Sequence, residues 1–354
     1  MTTFEIIIFV FSCVFIVATF ASMVRRSHWW YRVFDFPRLQ IWISLLLLLI
    51  AGVFVFTFRS AVQFYIIGFL LVSLGYQTYR IFPYTIFYKK QVHRAKSWKE
   101  DETLSILISN VKKENRSSKK LIAYVKSLKP DIFLALESDM WWQHQFETIE
   151  ADFVSTVKIP LENKYGMHLY SRKKLIDPKV KYLVVEDIPS IEAEINLKNG
   201  SRARIFCLHP KPPSPTESKT SINRDAELLL VADKLDVKKE SILVFGDLND
   251  VAWSRTTTLF LKVSRLLDPR KGRGFFSTFH AGYLFLRWPL DHIFHTDDFK
   301  LVVMKRLGNV GSDHFPVYSK LQYKPGAAAH QEKSGPVDEA EKERKEEKIN
   351  HADI

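Results

Sequence analysis

Residues 104–138 read LSILISNVKKENRSSKKLIAYVKSLKPDIFLALES. Leu104 to Asn110 is an apolar, β-branched run that ends in a polar residue, as a strand would. Leu121, Ile122, Val125 and Leu128 then recur at helical spacing. Pro130 ends that helix, and DIFLALES begins a second strand that closes at Glu137. A strand, a helix and a strand of this length form a crossover unit, so the two strands are parallel neighbours. Asn110 and Glu137 are therefore expected to emerge at one sheet edge.

The pattern repeats downstream. ARIFCL delivers His209, and SILVFG delivers Asp247 and Asn249 within GDLND. PLDHIF then places Asp291 at the start of a short strand, and GSDHFPVYSKL places Asp313 and His314 just before the final one. One sheet edge, or its continuation across a second sheet, could collect these amides, carboxylates and imidazoles. Hard oxygen ligands suit Mg²⁺ or Mn²⁺. Each piece alone has an ordinary reading: a strand-end Glu137 as a solvated or capping residue, His209 as a surface histidine, GDLND as a tight turn.

Order and spacing set these readings aside. An Asn after the first strand, PDIFLALE, a strand ending in His, GDLND, PLDHIF and a terminal SDHFPV together resemble the endonuclease/exonuclease/phosphatase family over Leu104 to Tyr323. GDLND followed by VAWSRTT looks most like that family's membrane-tethered bacterial branch. The resemblance implies an α/β fold, a four-layer sandwich of two central mixed β-sheets flanked by helices. It also implies Glu137 as the main ligand of Mg²⁺ or Mn²⁺, with Asn110 and Asp313 close by. Asp247 would activate the attacking water, and Asn249 would hold a phosphate oxygen and that nucleophile. His314, oriented by Asp291, would bind the scissile phosphate, and His209 would assist the leaving oxygen. Phosphoester hydrolysis needs these types: a metal to neutralise charge, a base near the water and a donor near the leaving group.

Neighbouring residues carry weaker expectations. Arg255 could contact a phosphate or simply begin a helix. His292 and His168 could line the pocket or pack as strand histidines, and Trp141 and Trp142 could form a pocket wall or an interfacial contact. The proline-rich loop from His209 to Ser218 could shape substrate entry or serve as a stiff connector.

The 354-residue chain carries a net charge of +12, with 47% hydrophobic residues. That composition excludes a disordered chain, and two isolated cysteines, Cys13 and Cys207, exclude a disulfide framework or a zinc site. The charge is uneven: +9 over residues 1–99, +5 over 100–323 and −2 over 324–354. Charged residues bracket three apolar windows, expected as transmembrane helices at about 4–24, 39–58 and 60–82, since about 20 residues cross the hydrocarbon core. Basic residues crowd the flanks after the first and third windows (Arg25, Arg26, Arg32, Arg38; Arg80, Lys89, Lys90, Arg94), and aromatic residues cluster beside them. By the positive-inside rule the large domain faces the cytoplasm of a bacterial inner membrane.

The expected organisation is a membrane segment (1–99), a catalytic domain (100–323) and a charged tail (324–354), disordered or loosely helical. The function read from this is a membrane-anchored, divalent-metal-dependent phosphoesterase acting on a membrane-near substrate such as a phosphorylated lipid. The alternatives are a nuclease acting on DNA or RNA, and an inactive membrane scaffold. The modest +5 of the catalytic region argues against a dedicated duplex binder, whose affinity rests on many phosphate contacts.

Overall fold

The structure, a computed structural model, describes residues 2–197, 200–327, 331 and 335–352. The crossover read from the sequence forms as β1 (Thr103–Asn110), α5 (Lys119–Leu128) and β2 (Ile132–Leu136), with β1 and β2 parallel and Asn110 opposite Leu136. Its side chains divide by face. Leu104, Ile106, Ile108, Ile132, Leu134 and Leu136 point into one core, while Leu107, Phe133 and Ala135 meet Leu121 and Val125 of α5 in another. This is the period-2 alternation of a strand covered on both sides.

Two sheets share the first core. One has the strand order β10 (Phe299–Arg306), β11 (Val317–Tyr323), β1, β2, β4 (Met167–Ser171), β3 (Ser155–Ile159). The other runs β5 (Leu175–Tyr182), β6 (Pro189–Asn196), β7 (Arg202–Leu208), β8 (Ser241–Asp247), β9 (Asp291–His295). Ile191, Ala193, Ile205, Cys207, Leu243 and Phe245 of the second sheet interleave with the first sheet's inward residues. α5 and α6 (Met140–Glu150) cover the first sheet's outer face. α7 (Ile222–Asp233) and α8 (Arg255–Ser264) cover the second sheet's through Leu228, Val231, Phe260 and Leu261. The result is the expected four-layer sandwich. Full burial of each large apolar side chain contributes roughly 1.5–3 kcal/mol.

Before the sandwich come α1 (Thr3–Met23), the single turn α2 (Trp29–Arg32), α3 (Arg38–Val55) and α4 (Ala61–Ile81). The spans Thr3–Met23, Arg38–Val55 and Ala61–Tyr84 are each long and apolar enough to cross a membrane. Ile16, Ile41, Leu45, Ile66 and Leu70 pack between the helices, while Phe54, Tyr65 and Val72 face outward. The second helix stops short of Phe58: Phe58 takes a left-handed backbone, and Thr57 N–H donates to Glu5 before Ser60 caps α4. Some buried polar groups in the bundle bond to one another. Glu5 accepts from Gln63 at 2.9 Å, and Arg38 bonds Asp35 and Gln77.

The sandwich sits on the bundle end where α1 finishes, α3 begins and α4 finishes. Trp253 Nε1 donates to the Asp35 carbonyl at 2.7 Å, and Tyr84 Oη donates to the Ala252 carbonyl at 2.6 Å. Ile81, Tyr84, Val251, Ala252, Trp253 and Leu290 form one buried cluster with Phe36, Leu39 and Trp42 against it.

Within the tail, α9 (Glu339–Asn350) is helical. Asp338 and Glu341 form a capping box, and Lys348 and Lys345 reach Asp225 and Asp233 of α7. Residues 328–330, 332–334, 353 and 354 of that tail lie outside the described residues.

Candidate active site

Two crossovers converge at one edge. The first delivers Asn110 and Glu137; the second, β7–α7–β8 with parallel strands, delivers His209 and Asp247. β8 and β9 pair antiparallel with Asp247 opposite Asp291, and the chain entering β11 supplies Asp313 and His314.

The two sheets are joined at this edge by one amide. Asn110 Nδ2 donates to Glu137 Oε1 at 2.8 Å and to Asp247 Oδ2 at 3.1 Å, while Asn110 Oδ1 accepts from the Lys112 backbone N–H at 3.0 Å. His314 lies across from it, Nδ1 at 2.9 Å from Asp291 Oδ2 and Nε2 at 3.5 Å from Asp247 Oδ2. His209 Nε2 is 4.0 Å from the same Asp247 oxygen. Asn249 N–H donates to Asp247 Oδ1 at 3.0 Å, and Asn249 Nδ2 donates to the Pro210 carbonyl at 3.0 Å, tying GDLND to the proline-rich loop.

Local backbone shape aims these groups. Glu137 and Asn249 sit at φ +55 and +50, turning their side chains out of the strand direction. Gly246 is required by contact: at φ +146, a Cβ there would stand 2.0 Å from the Leu208 carbonyl oxygen.

The electrostatics follow from burial and pairing. Burial pushes the Glu137 carboxyl up to about 7, with the charges of Asp247 and Asp313 adding to it against the Asn110 bond. Burial would also raise Asp247, but His314, His209 and the bonds from Asn249 and Asn110 hold it below the usual carboxylate range. Burial would lower His314, yet Asp247 and Asp291 outweigh it and hold the ring up to about 10. Burial lowers His209.

Asp247, Asp291 and His314 offer ligand atoms within 4.8 Å of one another. A charged imidazolium has no free lone pair, so His314 is a poorer ligand than its position suggests. Glu137, a buried carboxylate that the Asn110 amide links to Asp247, offers the hard oxygen donor that suits Mg²⁺ or Mn²⁺.

The remaining candidates have other partners. Asp313 pairs with Lys112 Nζ at 3.0 Å at the rim. Arg255 Nη2 donates to the Met23 carbonyl, so the first residue of α8 is tied to the end of α1 rather than to the carboxylates. His292 points to the opposite face from Asp291; Nε2 lies 2.8 Å from the Asp250 carbonyl, and burial and Arg270 press its pKa to about 3. His168 bonds Ser138 and Gln143, Trp142 is fully buried, and Trp141 stacks with Arg116.

Three supporting residues carry no sequence signal of their own. Ser312 Oγ donates to the Asn110 carbonyl and accepts from His314 N–H. Arg224, buried in α7, donates to the Asn249 carbonyl at 2.8 Å. Tyr165 lies 5.3 Å, ring to ring, from His209 and donates to Glu217 at 3.1 Å. Each is an ordinary core or loop residue until the fold brings it beside the site.

The sequence profile of the endonuclease/exonuclease/phosphatase family matches residues 107–314, which span all of these site residues. The chain belongs to the endonuclease/exonuclease/phosphatase family. Its members are metal-dependent phosphoesterases and nucleases, and this chain is accordingly a hydrolase of phosphoester bonds. No curated protein matches it in sequence.

Solved structures share the family fold at low identity. The D. rerio TDP2 complexed with single-strand DNA product aligns at 16% identity and a TM-score of 0.52, covering 62% of this chain and 99% of that one. The human Nocturnin catalytic domain with bound sulfate aligns at 15% and 0.52, covering 68% and 99%. An endonuclease/exonuclease/phosphatase from Beutenbergia cavernae DSM 12333 aligns at 15% and 0.50, covering 63% and 72%.

Proposed function

We propose that the chain is a membrane-anchored, divalent-metal-dependent phosphoesterase acting on a membrane-near phosphoester, a phosphorylated lipid in the first instance. The observation that carries this reading is the docking of Val251–Trp253, directly after GDLND, onto the end of a three-helix apolar bundle. A catalytic loop packed on a bundle of that kind works at the bilayer surface. The bundle end that holds the sandwich also carries Arg25, Arg26, Arg32, Arg38 and Arg80, which supports a cytoplasmic face in a bacterial inner membrane.

In this reading Glu137 and Asn110, with Asp313 nearby, hold the metal. A bound Mg²⁺ or Mn²⁺ supplies charge neutralisation on the phosphoryl oxygens and orients the reacting groups. Asp247, ionised and hydrogen-bonded, takes the proton of the attacking water. His314, kept charged by Asp291 and Asp247, donates to a phosphoryl oxygen, and the charge developed there makes that donor most effective in the transition state. Asn249 keeps its Oδ1 available toward the nucleophile while its Nδ2 holds the Pro210 loop. His209, its Nε2 4.0 Å from Asp247 Oδ2, serves the leaving oxygen.

The test is turnover by the full chain in detergent or liposomes, with Mg²⁺ or Mn²⁺, against phospholipid and polyprenyl phosphates, inositol phosphates, single-stranded RNA and plasmid DNA, with Asp247→Ala as control. Lipid-phosphate turnover lost in the control supports the reading. Rapid nicking of DNA with no lipid turnover replaces the substrate with nucleic acid, and no activity on any substrate leaves the scaffold reading.

A further inference from the structure

A concavity lies beside the catalytic cluster. It is a groove of about 440 Å³ between the first turns of α3 (Leu39, Gln40, Ile43) and the 276–287 loop (Phe276, Leu284, Phe285, Arg287), with Arg306 at its end. None of Glu137, Asp247 or His314 lines it. The loop is held to α3 by Gln40 Nε2, which donates to the Phe285 carbonyl at 2.6 Å. Gln40 Oε1 is buried without a hydrogen-bond partner among the described residues.

The groove has two chemically distinct ends. Tyr283, Leu284, Phe285 and Leu286 are 56%, 69%, 79% and 45% exposed, an apolar run that water alone does not favour. It lies against the start of a helix apolar enough to cross a membrane, so the depth of a bilayer interface covers it naturally. At the other end two guanidinium groups crowd one ring: Arg287 and Arg306 lie 5.0 and 4.3 Å from the centre of Phe315. Their recorded hydrogen bonds go to the carbonyls of Tyr283 and Ser277, and no carboxylate among the described residues forms an ion pair with either. Burial and the like charge of Arg287 both lower Arg306. Two cations on one ring with no anion make a receptor for a negative group, and a planar fork of N–H donors matches phosphate.

The groove adjoins the chemistry. Phe315 follows His314 in the chain, and the ring of Phe279, within the 276–287 loop, lies 5.0 Å from the His314 ring.

We propose that this groove binds a phosphate-headed amphiphile, its phosphate on Arg287 and Arg306 and its apolar chain between α3 and residues 283–286. The site rests on the membrane-near reading of the function and narrows it: a lipid is held by its phosphate next to the catalytic cluster.

The experiment uses the full chain in detergent carrying Asp247→Asn, so that nothing is turned over. Binding of dioctanoyl phosphatidic acid below its micelle concentration is measured by calorimetry, with glycerol 3-phosphate and dioctanoylglycerol as comparators. The phosphatidic acid should bind at least tenfold more tightly than either, and Arg287→Ala/Arg306→Ala should weaken it at least tenfold. Arg306→Gln, a single change at an exposed position, should weaken it severalfold and guards against a double variant that does not fold. Unchanged affinity in Arg306→Gln overturns the proposal. So does glycerol 3-phosphate binding as tightly as the lipid, which would mean a free-phosphate site, or dioctanoylglycerol doing so, which would mean an apolar groove alone. Hydrolysis of the water-soluble bis(p-nitrophenyl) phosphate by the unsubstituted chain judges the catalytic reading separately, because that substrate has no lipid chain.

Discussion

Glu227 is a carboxylic acid in the wrong place for a charge. It lies in α7, 2% exposed, with Oε1 lacking a hydrogen-bond partner among the described residues, and burial alone pushes its pKa from 4.5 to about 8. The folded chain thus prefers the protonated acid, while the unfolded chain ionises near 4.5. A group with a raised folded pKa contributes its full stability below the unfolded value and loses it as pH rises toward the folded one. The gap from 4.5 to about 8, at 1.36 kcal/mol per pH unit, costs the folded state about 5 kcal/mol above pH 8, and about 3 kcal/mol at pH 7. Glu227→Gln keeps the shape and removes the ionisation. The unfolding midpoint of the detergent-solubilised chain should then match the unsubstituted protein near pH 4.5 and exceed it increasingly from pH 6 to 9. Parallel midpoint-against-pH curves for the two proteins would refute the reasoning, because they would mean that Glu227 is solvated or paired in the folded state.

Three further outcomes follow from the site and its supports. Asp247→Asn should lower kcat by roughly 10²–10⁴ with a near-normal melting profile, since the amide keeps the Asn249 contact; near-normal turnover would remove Asp247 from the base role. Gly246→Ala should destabilise by several kcal/mol, because its Cβ would meet the Leu208 carbonyl at 2.0 Å; an unshifted thermal midpoint would show that β7 and β8 can part at no cost. Trp253→Ala removes a 2% exposed ring bonded to the Asp35 carbonyl, at about 3–5 kcal/mol. Turnover of liposome-borne substrate should fall further than turnover of a soluble diester, and an equal fall would argue against coupling through this contact.

The first crossover could be read directly because its information is local. Alternation in LSILISN and DIFLALE and helical spacing from Leu121 to Leu128 specify the element types, and a helical crossover between the two strands gives the parallel pairing that β1 and β2 show. The same logic put His209 and Asp247 on neighbouring strand ends. Arg255 shows where it stopped. Five residues after GDLND ends at Asp250, it reads as part of the loop, yet the start of α8 aims its side chain at the end of α1. His292 shows the same limit at one residue's distance: Asp291 faces the site, and strand alternation turns His292 away, toward Asp250 and Arg270. The tail's composition allowed a disordered or a loosely helical segment, and the acids on α7 that pair with its lysines are more than a hundred residues away.

Sequence alone determined the class of the molecule: apolar windows long enough to span a bilayer, two crossovers, and an ordered set of carboxylates, amides and histidines for phosphoester chemistry. Only the tertiary structure decided which of those groups touch. The bridging of Glu137 and Asp247 by Asn110, the setting of His314 between Asp291 and Asp247, and the facing of Gln40 and Phe285, 245 residues apart, depend on how two sheets and a helical bundle pack. Periodicity records which face of an element is apolar, and contacts across sheets leave no periodic trace in the chain.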